Sequence, residues 1–315
     1  MKVLDNIVLN FSQEGLLALN IVIALVMFGV ALDIKWQHFI DIIRRPKAVI
    51  AGALSQFILL PAVTFLLVLA VKPTPTVALG MILVAACPGG NISNFMSSLA
   101  KGNTALSVSL TAVSTSAALI MTPLNFTFWG KLYLNYYAAT DAGSYLAPIE
   151  IELLQVVQTV VILLGLPVLA GLLFNQYLPK ITQKITQPFR KISILIFITY
   201  VIVLLSANFD HFIRHIHHVF IIVLIHNALA LSTGFSMASA FGLTRADRRS
   251  VTIETGIQNS GLALVLIFNP KIFPPELQLG GMAFIAAWWG VWHIVSGLVL
   301  TSLWSRKSLI ETKGL

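Results

Sequence analysis

Charged residues are scarce in this sequence of 315 residues. Asp, Glu, Lys and Arg together make up 10% of it, whereas roughly a quarter of the residues in a soluble domain are charged. Hydrophobic residues make up 57%. This composition excludes a soluble globular domain and indicates a membrane protein.

Cysteine is nearly absent as well. The single residue, Cys87, excludes a disulfide within the chain and indicates no particular redox compartment. Long polar segments are also missing, so nothing in the sequence suggests a separate soluble domain. Residues 1–315 are therefore predicted to form one transmembrane domain.

Apolar residues are gathered into blocks of about 20 residues, the length that an α-helix needs to cross a hydrocarbon core of about 30 Å. Nine such blocks can be distinguished, at about 15–34, 47–71, 77–100, 103–129, 152–175, 191–208, 217–242, 247–268 and 279–304. The predicted fold class is an all-α polytopic membrane protein with nine transmembrane helices in the lipid bilayer.

Basic residues are divided unequally between the two sides of this nine-helix topology. Of the 20 Lys and Arg residues, five fall on one side, at Lys2, Lys72, Lys131, Arg214 and Lys271, and the other fifteen fall on the opposite side. The positive-inside rule assigns the basic side to the cytoplasm. We therefore expect a bacterial inner membrane protein with its N-terminus outside and its C-terminus in the cytoplasm. The net charge of +8 is a topology signal, and we expect no nucleic-acid partner.

Acidic residues are almost confined to loops, tails and helix ends. Glu254 is the exception among the twelve, because it lies within the apolar stretch SVTIETGIQNSGLALVLIF. A charged residue at the centre of a membrane helix costs about 2.5–3.5 kcal/mol on insertion scales, and such residues usually face a cavity and a partner. The alternative is a protonated, hydrogen-bonded glutamate of the protein interior. We expect Glu254 to be functional.

Two of the blocks contain residues that interrupt a transmembrane helix. The third block holds CPGGNISN, residues 87–94, and the eighth holds the polar run that follows Glu254. Irregular backbone at membrane depth persists only where it lines a cavity or is otherwise satisfied. Interrupted helices in corresponding positions of two halves point to the binding site of a secondary transporter. The two blocks are five apart, which fits a five-helix inverted repeat whose first helix is missing.

The stretches QFILLP, CPGG followed by SN, ALSVSLTAVST and IETGIQNSGLA, in this order, resemble the bile acid:sodium symporter family. The resemblance covers about residues 20–304. It implies the nine-helix form of a ten-helix inverted-repeat fold, with a core domain that contains two discontinuous crossing helices and a panel domain beside it. The core would comprise about 47–129 and 217–304, and the panel about 15–34 and 152–208.

The resemblance also implies two sodium sites built from oxygen ligands. The first would use Ser93, Asn94, Ser107, Thr111 and Glu254. The second would use the side chains of Gln56, Glu254 and Gln258, with the backbone carbonyls of Thr255 and Ile257. The residue types suit this role, because hard cations prefer several oxygen ligands. Ser107 and Thr111 are four residues apart and therefore lie on one helix face. By themselves they would be ordinary packing hydroxyls of membrane helices, but the whole set of oxygen-bearing residues favours a cation site.

The positions that match the family's substrate region are Asn91, Ile92, Asn259, His293 and Ile294. Three of them depart from the family pattern, because Asn91 and Ile92 replace a threonine and a small residue, and Ile294 replaces an asparagine. The identity of the organic anion therefore does not follow from the resemblance, and a bile acid is not assumed.

A cluster of four histidines lies in HFIRHIHH, residues 211–218. Such a cluster could form a metal site or a solvated outer loop. No cysteine accompanies it, so we expect a solvated loop.

Taken with the resemblance, the sequence predicts a symporter that couples two Na⁺ ions to the import of a small organic anion by alternating access. That anion would be bile acid-like or a smaller carboxylate. The nearest alternative is a sodium-independent anion exporter of the arsenite or auxin type. A passive channel or receptor would have no use for two sodium sites. An enzyme that used Glu254 would need a second acid, base or metal ligand that the sequence does not supply, so we do not expect an enzyme.

Overall fold

The computed structural model describes residues 13–33, 40, 46–90, 92–139, 149–207, 209–274 and 277–306. These residues form eleven helices and no β-strand, as an all-α fold class requires. In chain order the helices are α1 (Gln13–Asp33), α2 (Pro46–Val71), α3 (Pro75–Ala86), α4 (Ile92–Leu99), α5 (Thr104–Ala138), α6 (Leu153–Tyr177), α7 (Pro179–Ala207), α8 (Phe209–Ala240), α9 (Arg245–Gly256), α10 (Ser260–Ile267) and α11 (Gly280–Ser305).

Five of these helices are long and apolar enough to cross a membrane by themselves. They are α2, α5, α6, the segment Val219–Ala240 of α8, and α11. Their outward faces carry large apolar side chains, such as Ile120 at 66% exposure and Leu154 at 67%. Apolar side chains exposed along long helices are typical of a surface in contact with lipid. The chain is therefore an integral membrane protein, while the count of nine crossings stays a prediction.

Two of the long helices contain a π-turn that ends two residues before a proline. In α2 the π-turn covers Ser55–Leu59 and precedes Pro61, and in α6 it covers Val161–Gly165 and precedes Pro167. Proline has no N–H for the bond to the carbonyl four residues earlier, and its ring clashes with that carbonyl, so the helix widens locally. The π-turn of α2 carries the buried side chain of Gln56.

Two further blocks predicted to cross the membrane are each divided into two short helices. The block predicted at 77–100 forms α3 and α4, which are separated between Ala86 and Ile92. The block predicted at 247–268 forms α9 and α10, which are separated between Gly256 and Ser260. The interruptions expected from proline, glycine and polar residues are thus present at both places.

Three helices extend beyond the limits predicted from hydropathy. α5 continues to Ala138 instead of ending near 129, and α7 begins at Pro179 instead of near 191. α8 begins at Phe209, so the prediction of a loop at 211–218 is wrong and the histidine-rich segment is helical. Hydropathy marks only where the hydrocarbon begins, whereas the backbone hydrogen bonds of a helix continue into the polar interface.

The interior is centred on α3, all twelve residues of which are buried. α3 packs against α11 and α5, and α8 packs against α9 and α11. α1 packs mainly against α6 and α7, where the ring of Phe28 lies 6.0 Å from that of Phe174 and 5.4 Å from that of Phe189. The division into a core and a panel stays a prediction.

Candidate cation and substrate site

The two helix breaks cross each other and pair through their backbones. The N–H of Gly90 donates to the carbonyl of Ile257 at 2.6 Å, and the N–H of Asn259 donates to the carbonyl of Pro88 at 2.9 Å. Gly89 and Gln258 face each other between these bonds as an antiparallel bridge. Backbone groups freed by a break inside a membrane must find partners within the protein. Each break supplies partners for the other.

The close approach at this crossing depends on Gly89. A Cβ atom on Gly89 would collide with Oε1 of Glu254 and would lie 3.1 Å from the Glu254 carbonyl oxygen. Only glycine therefore lets the first break lie directly against the carboxylate carried by the second helix pair.

The Glu254 carboxylate is buried and surrounded by hydroxyl groups. Ser93 donates to Oε2, Thr111 donates to the same oxygen at 3.0 Å, and Ser114 donates to Oε1 at 3.3 Å. The donors come from α4 and α5, while Glu254 lies on α9. Arg249 lies on the same helix, but its guanidinium donates to the carbonyl of Ala100 instead. Among the described residues, the donors to the carboxylate are thus neutral groups.

Asn94 forms a second centre beside this carboxylate. Its Oδ1 accepts from Ser107 at 2.9 Å and from Thr111 at 3.1 Å. Thr111 has one hydroxyl proton, yet its oxygen is within hydrogen-bond distance of both Asn94 Oδ1 and Glu254 Oε2. All five residues predicted for the first cation site therefore lie in one hydrogen-bonded cluster, formed by Ser93, Asn94, Ser107, Thr111 and Glu254.

A second cluster lies at the π-turn of α2. The amide groups of Gln56 and Gln258 bond to each other in both directions, at 2.8 and 3.2 Å. Gln56 also donates to the carbonyl of Cys87 at 2.8 Å, and Gln258 donates to the carbonyl of Thr255 at 2.6 Å. Two other members of the predicted second site are placed differently. The Ile257 carbonyl accepts from Gly90, and the Glu254 carboxylate accepts from the hydroxyls of α4 and α5 described above.

The chemistry of the first cluster suits a hard monovalent cation. It combines one carboxylate, one amide oxygen and three hydroxyl oxygens. The hydroxyls belong to Ser93, Ser107 and Thr111, which are all nearly or fully buried. Hydroxyl groups can rotate, so the same oxygens that donate protons to each other can present lone pairs to an ion. The side chains are already gathered, so rotation of these hydroxyls would present several oxygens to one ion.

The predicted substrate positions are less closely grouped. Asn91 lies outside the described residues. Ile92 and Ile294 pack against one apolar cluster with Met96, Ile253 and Ile257.

The two polar substrate candidates occupy different surroundings. Asn259 caps α10 by accepting from the N–H of Leu262 at 3.0 Å, and its amide lies 3.8 Å from the sulfur of Met27 on α1. His293 is buried on α11, and its Nδ1 has no hydrogen-bond partner among the described residues. A buried ring nitrogen without a partner is unfavourable, so His293 is suited to meet a polar ligand.

Two polar residues at this site were not predicted. Ser114 follows Thr111 by three residues and continues the face begun by Ser107, so helical spacing alone could have indicated it. Asn227 donates to the carbonyl of Gly256, at the end of α9, and accepts from Ser296 at 2.6 Å. The sequence feature that could have indicated Asn227 is that it is the one side-chain amide within the apolar block 217–242.

Comparisons with known proteins agree with one another. A family model described as the Sodium Bile acid symporter family matches residues 20–215. The uncharacterized sodium-dependent transporter YocS of Bacillus subtilis is 32% identical over 308 residues, which cover 95% of this chain and 88% of that protein. The human ileal sodium/bile acid cotransporter is 30% identical over 281 residues, which cover 86% of this chain and 77% of that protein.

A plant relative is longer than this chain. The probable chloroplastic sodium/metabolite cotransporter BASS1 of Arabidopsis thaliana is 29% identical over 293 residues, which cover 91% of this chain. The match covers 66% of that protein, so the chain spans just under two thirds of its length.

Proposed function

Because this chain belongs to the sodium bile acid symporter family, we propose that it imports a small organic anion together with two sodium ions. The relatives named as sodium/bile acid and sodium/metabolite cotransporters support coupling to sodium and an organic substrate. Bile acid itself is not proposed, because the substrate positions Asn91, Ile92 and Ile294 depart from the family pattern.

The observation that carries the proposal is the oxygen cluster around Glu254. Among the described residues, the buried carboxylate of Glu254 accepts hydrogen bonds from hydroxyls alone. These hydroxyls bring no neutralising charge, and a bound cation would provide one. We assign the first ion to the cluster of Ser93, Asn94, Ser107, Thr111 and Glu254. We assign the second ion to Gln56, Gln258, Glu254 and the carbonyls of Thr255 and Ile257.

Coupling to the anion follows from the position of the crossing. α4 and α10 both begin at the breaks, and the N-terminus of a helix attracts negative charge. Ile92 and Asn259 lie at these two helix starts, Asn91 precedes Ile92 in the sequence, and His293 is on α11. Cations bound at the two oxygen clusters beside the breaks would fix both helix starts in one arrangement. Ion binding and anion binding would then favour the same conformation.

The proposed fold has nine crossings arranged as an inverted repeat that lacks its first helix, and one structural feature supports it. Gln56 on α2 donates to the carbonyl of Cys87, and Asn227 on α8 donates to the carbonyl of Gly256. The separations along the chain are 31 and 29 residues. In each half, an amide of the preceding helix thus caps the interrupted helix at its break.

Transport would proceed by alternating access, in which the group formed by α1, α6 and α7 moves against the remaining helices. Asn259 and Met27 meet between these two groups at 3.8 Å. Such a weak contact is suited to a surface that slides.

The test is uptake of a panel of labelled organic anions into proteoliposomes that hold the purified protein, with and without an inward sodium gradient. Two sodium ions with one monoanion carry net positive charge inward, so uptake should be faster at negative inside potential. The potential adds up to about 2.3 kcal/mol of driving free energy per net charge per 100 mV. Potassium and valinomycin would set the potential. Sodium-stimulated uptake that does not respond to voltage would exclude the two-to-one ratio with a monoanion. Transport without any sodium requirement would favour the anion exporter.

A further inference from the structure

Asn103, in the short connection between α4 and α5, contacts three chain segments that lead to the first cation cluster. Its Oδ1 caps α5 by accepting from the N–H of Leu106 at 3.1 Å. Its Nδ2 donates to Oδ1 of Asp247, in the first turn of α9, at 2.6 Å. Along the chain, the connection from Ala100 to Gly102 joins it to the end of α4. The side chain of Asn103 therefore bonds to α5 and α9, and the chain itself links Asn103 to α4.

The connection from α4 to Asn103 is itself tightly folded. The N–H of Gly102 donates to the carbonyl of Ser97 at 2.8 Å, and the N–H of Lys101 donates to that of Ser98 at 3.1 Å. Lys101 has a φ of 54°, the left-handed conformation that ends many helices. The end of α4 cannot shift relative to Asn103 without breaking these bonds.

Three further bonds fasten this connection to the start of α9. The N–H of Asn103 donates to the carbonyl of Ala246 at 3.2 Å, and Ser250 donates to the carbonyl of Asn103 at 2.9 Å. Arg249 donates to the carbonyl of Ala100 at 2.7 Å and lies over the ring of Trp304, 5.7 Å from its centroid. We call the residues that make these contacts, from Ala100 to Asn103 and from Ala246 to Ser250, the clasp.

The clasp lies two helical turns from the cation cluster. Glu254 comes seven positions after Asp247, and Thr111 comes eight positions after Asn103, which corresponds to about 10–12 Å along each helix. Residues seven apart lie on nearly the same helix face. The clasp thus sets the relative height and rotation of the helices whose side chains form the cluster.

We infer that Asn103 is a positioning residue for the first cation site, acting through its bond to Asp247. It does not touch the ion. It holds α4, α5 and α9 in the arrangement in which Thr111 lies within hydrogen-bond distance of both Asn94 and Glu254. This inference rests on the proposed sodium coupling, which wild-type protein tests separately.

The informative change is Asn103→Asp. Aspartate keeps the cap of α5, because Asp and Asn are both good N-cap residues. It removes the donor to Asp247 and places two carboxylates against each other. The reciprocal swap, Asn103→Asp with Asp247→Asn, restores a donor and an acceptor at the same place with their roles exchanged. Asp247→Asn alone is the matched control, because its amide oxygen can still accept from Asn103.

The measurement is the sodium dependence of uptake by full-length protein in proteoliposomes, with thermal unfolding in detergent with and without sodium. We expect Asn103→Asp to raise the sodium concentration for half-maximal uptake about fivefold or more, the lower range of coupling between sites. The maximal rate and the sodium-free unfolding temperature should change little. The swap should return the sodium dependence to near wild type, and Asp247→Asn alone should stay near it.

Asn103→Ser is the second variant, because serine caps a helix but is too short to reach Asp247. It should also weaken sodium dependence, which keeps the test valid if Asn103→Asp fails to insert. Unchanged sodium dependence in both variants would overturn the inference. So would a swap that does not restore it, or a loss of sodium-free stability with sodium affinity intact. Wild-type protein without sodium dependence would overturn the proposed function instead.

Discussion

The backbone N–H of Gly90 donates to the carbonyl oxygen of Ile257 at 2.6 Å, which joins the middle of one interrupted helix to the middle of the other. Ile257 lies three residues after Glu254, and Gly90 lies three residues before Ser93, which donates to the Glu254 carboxylate. The crossing and the oxygen cluster are therefore neighbouring parts of one structure. A change at the cluster is expected to reach the crossing, where an anion would bind.

Glu254→Gln tests the charge at the centre of the cluster. The amide keeps the shape and one acceptor oxygen but removes the negative charge that would offset a cation. We expect inserted, folded protein that has lost sodium-stimulated uptake. Stabilisation by sodium in a thermal unfolding assay should also disappear, because a ligand that binds only the native state stabilises it by mass action. Full stabilisation by sodium in this variant would show that Glu254 is not a cation ligand.

Thr111→Ala and Gln258→Ala separate the two proposed ion sites. Among the described residues, the side chain of Thr111 bonds only within the first cluster and that of Gln258 only within the second. Each change should weaken both sodium affinity and anion affinity, because coupling between sites is reciprocal. The measurement is anion binding at several sodium concentrations. A sodium requirement untouched by either change would mean that these oxygens do not form the sites.

Gly89→Ala tests the close approach of the first break to the carboxylate. The added methyl group collides with Oε1 of Glu254, so the carboxylate must move away from Ser114 or the two breaks must separate. We expect loss of sodium-stimulated uptake. Gly165→Ala on α6 is the control, because its Cβ would be crowded by the end of the Leu119 side chain alone, at 3.1 Å, which can rotate, while Val161 lies at an ordinary contact distance of 3.7 Å. Equal uptake by both variants would contradict a tight fit at Gly89.

Ser114→Ala removes a hydroxyl that lies 3.3 Å from Oε1 of Glu254 and 3.2 Å from the carbonyl oxygen of Thr111. A hydrogen bond to a charged group contributes about 1.5–3 kcal/mol, and the 3.3 Å distance places this one at the weak end. We expect weaker sodium affinity, with a smaller effect than that of Thr111→Ala. Ser116→Ala is the control on the same helix, because Ser116 donates to the carbonyl of Ala112 instead. Measuring the unfolding temperature at increasing sodium concentrations would rank the sodium affinities of Thr111→Ala, Ser114→Ala and Ser116→Ala. An effect of Ser116→Ala as large as that of Ser114→Ala would argue against a specific role of Ser114 in the cation site.

The nine-helix topology can be tested at the two ends of the chain, which lie outside the described residues. Fifteen of the 20 basic residues fall on the side assigned to the cytoplasm, so a tag after Leu315 should be protected in intact cells. A tag before Met1 should be accessible from outside. Equal accessibility at both ends would mean that the number of crossings is even.

Much of this protein follows from the sequence alone, because hydropathy and backbone chemistry act locally. Apolar runs of about 20 residues become helices in a bilayer, because a single segment can form all its backbone hydrogen bonds within itself only as a helix. The interruptions at Pro88 and after Gly256 are equally local, because proline and glycine weaken a helix wherever they occur. Glu254 stood out because a carboxylate inside an apolar block has few structural uses.

Only the tertiary structure decided how these parts meet. The pairing of Gly90 with Ile257 joins residues from the two halves of the chain, and helical periodicity does not specify which helices cross. The same holds for Ser114 and Asn103, whose types are common in helices and caps. Their importance comes from the carboxylates of Glu254 and Asp247 that packing places beside them. Local chemistry selects helices and breaks, whereas the contacts of a site depend on distances that the packing of the whole chain determines.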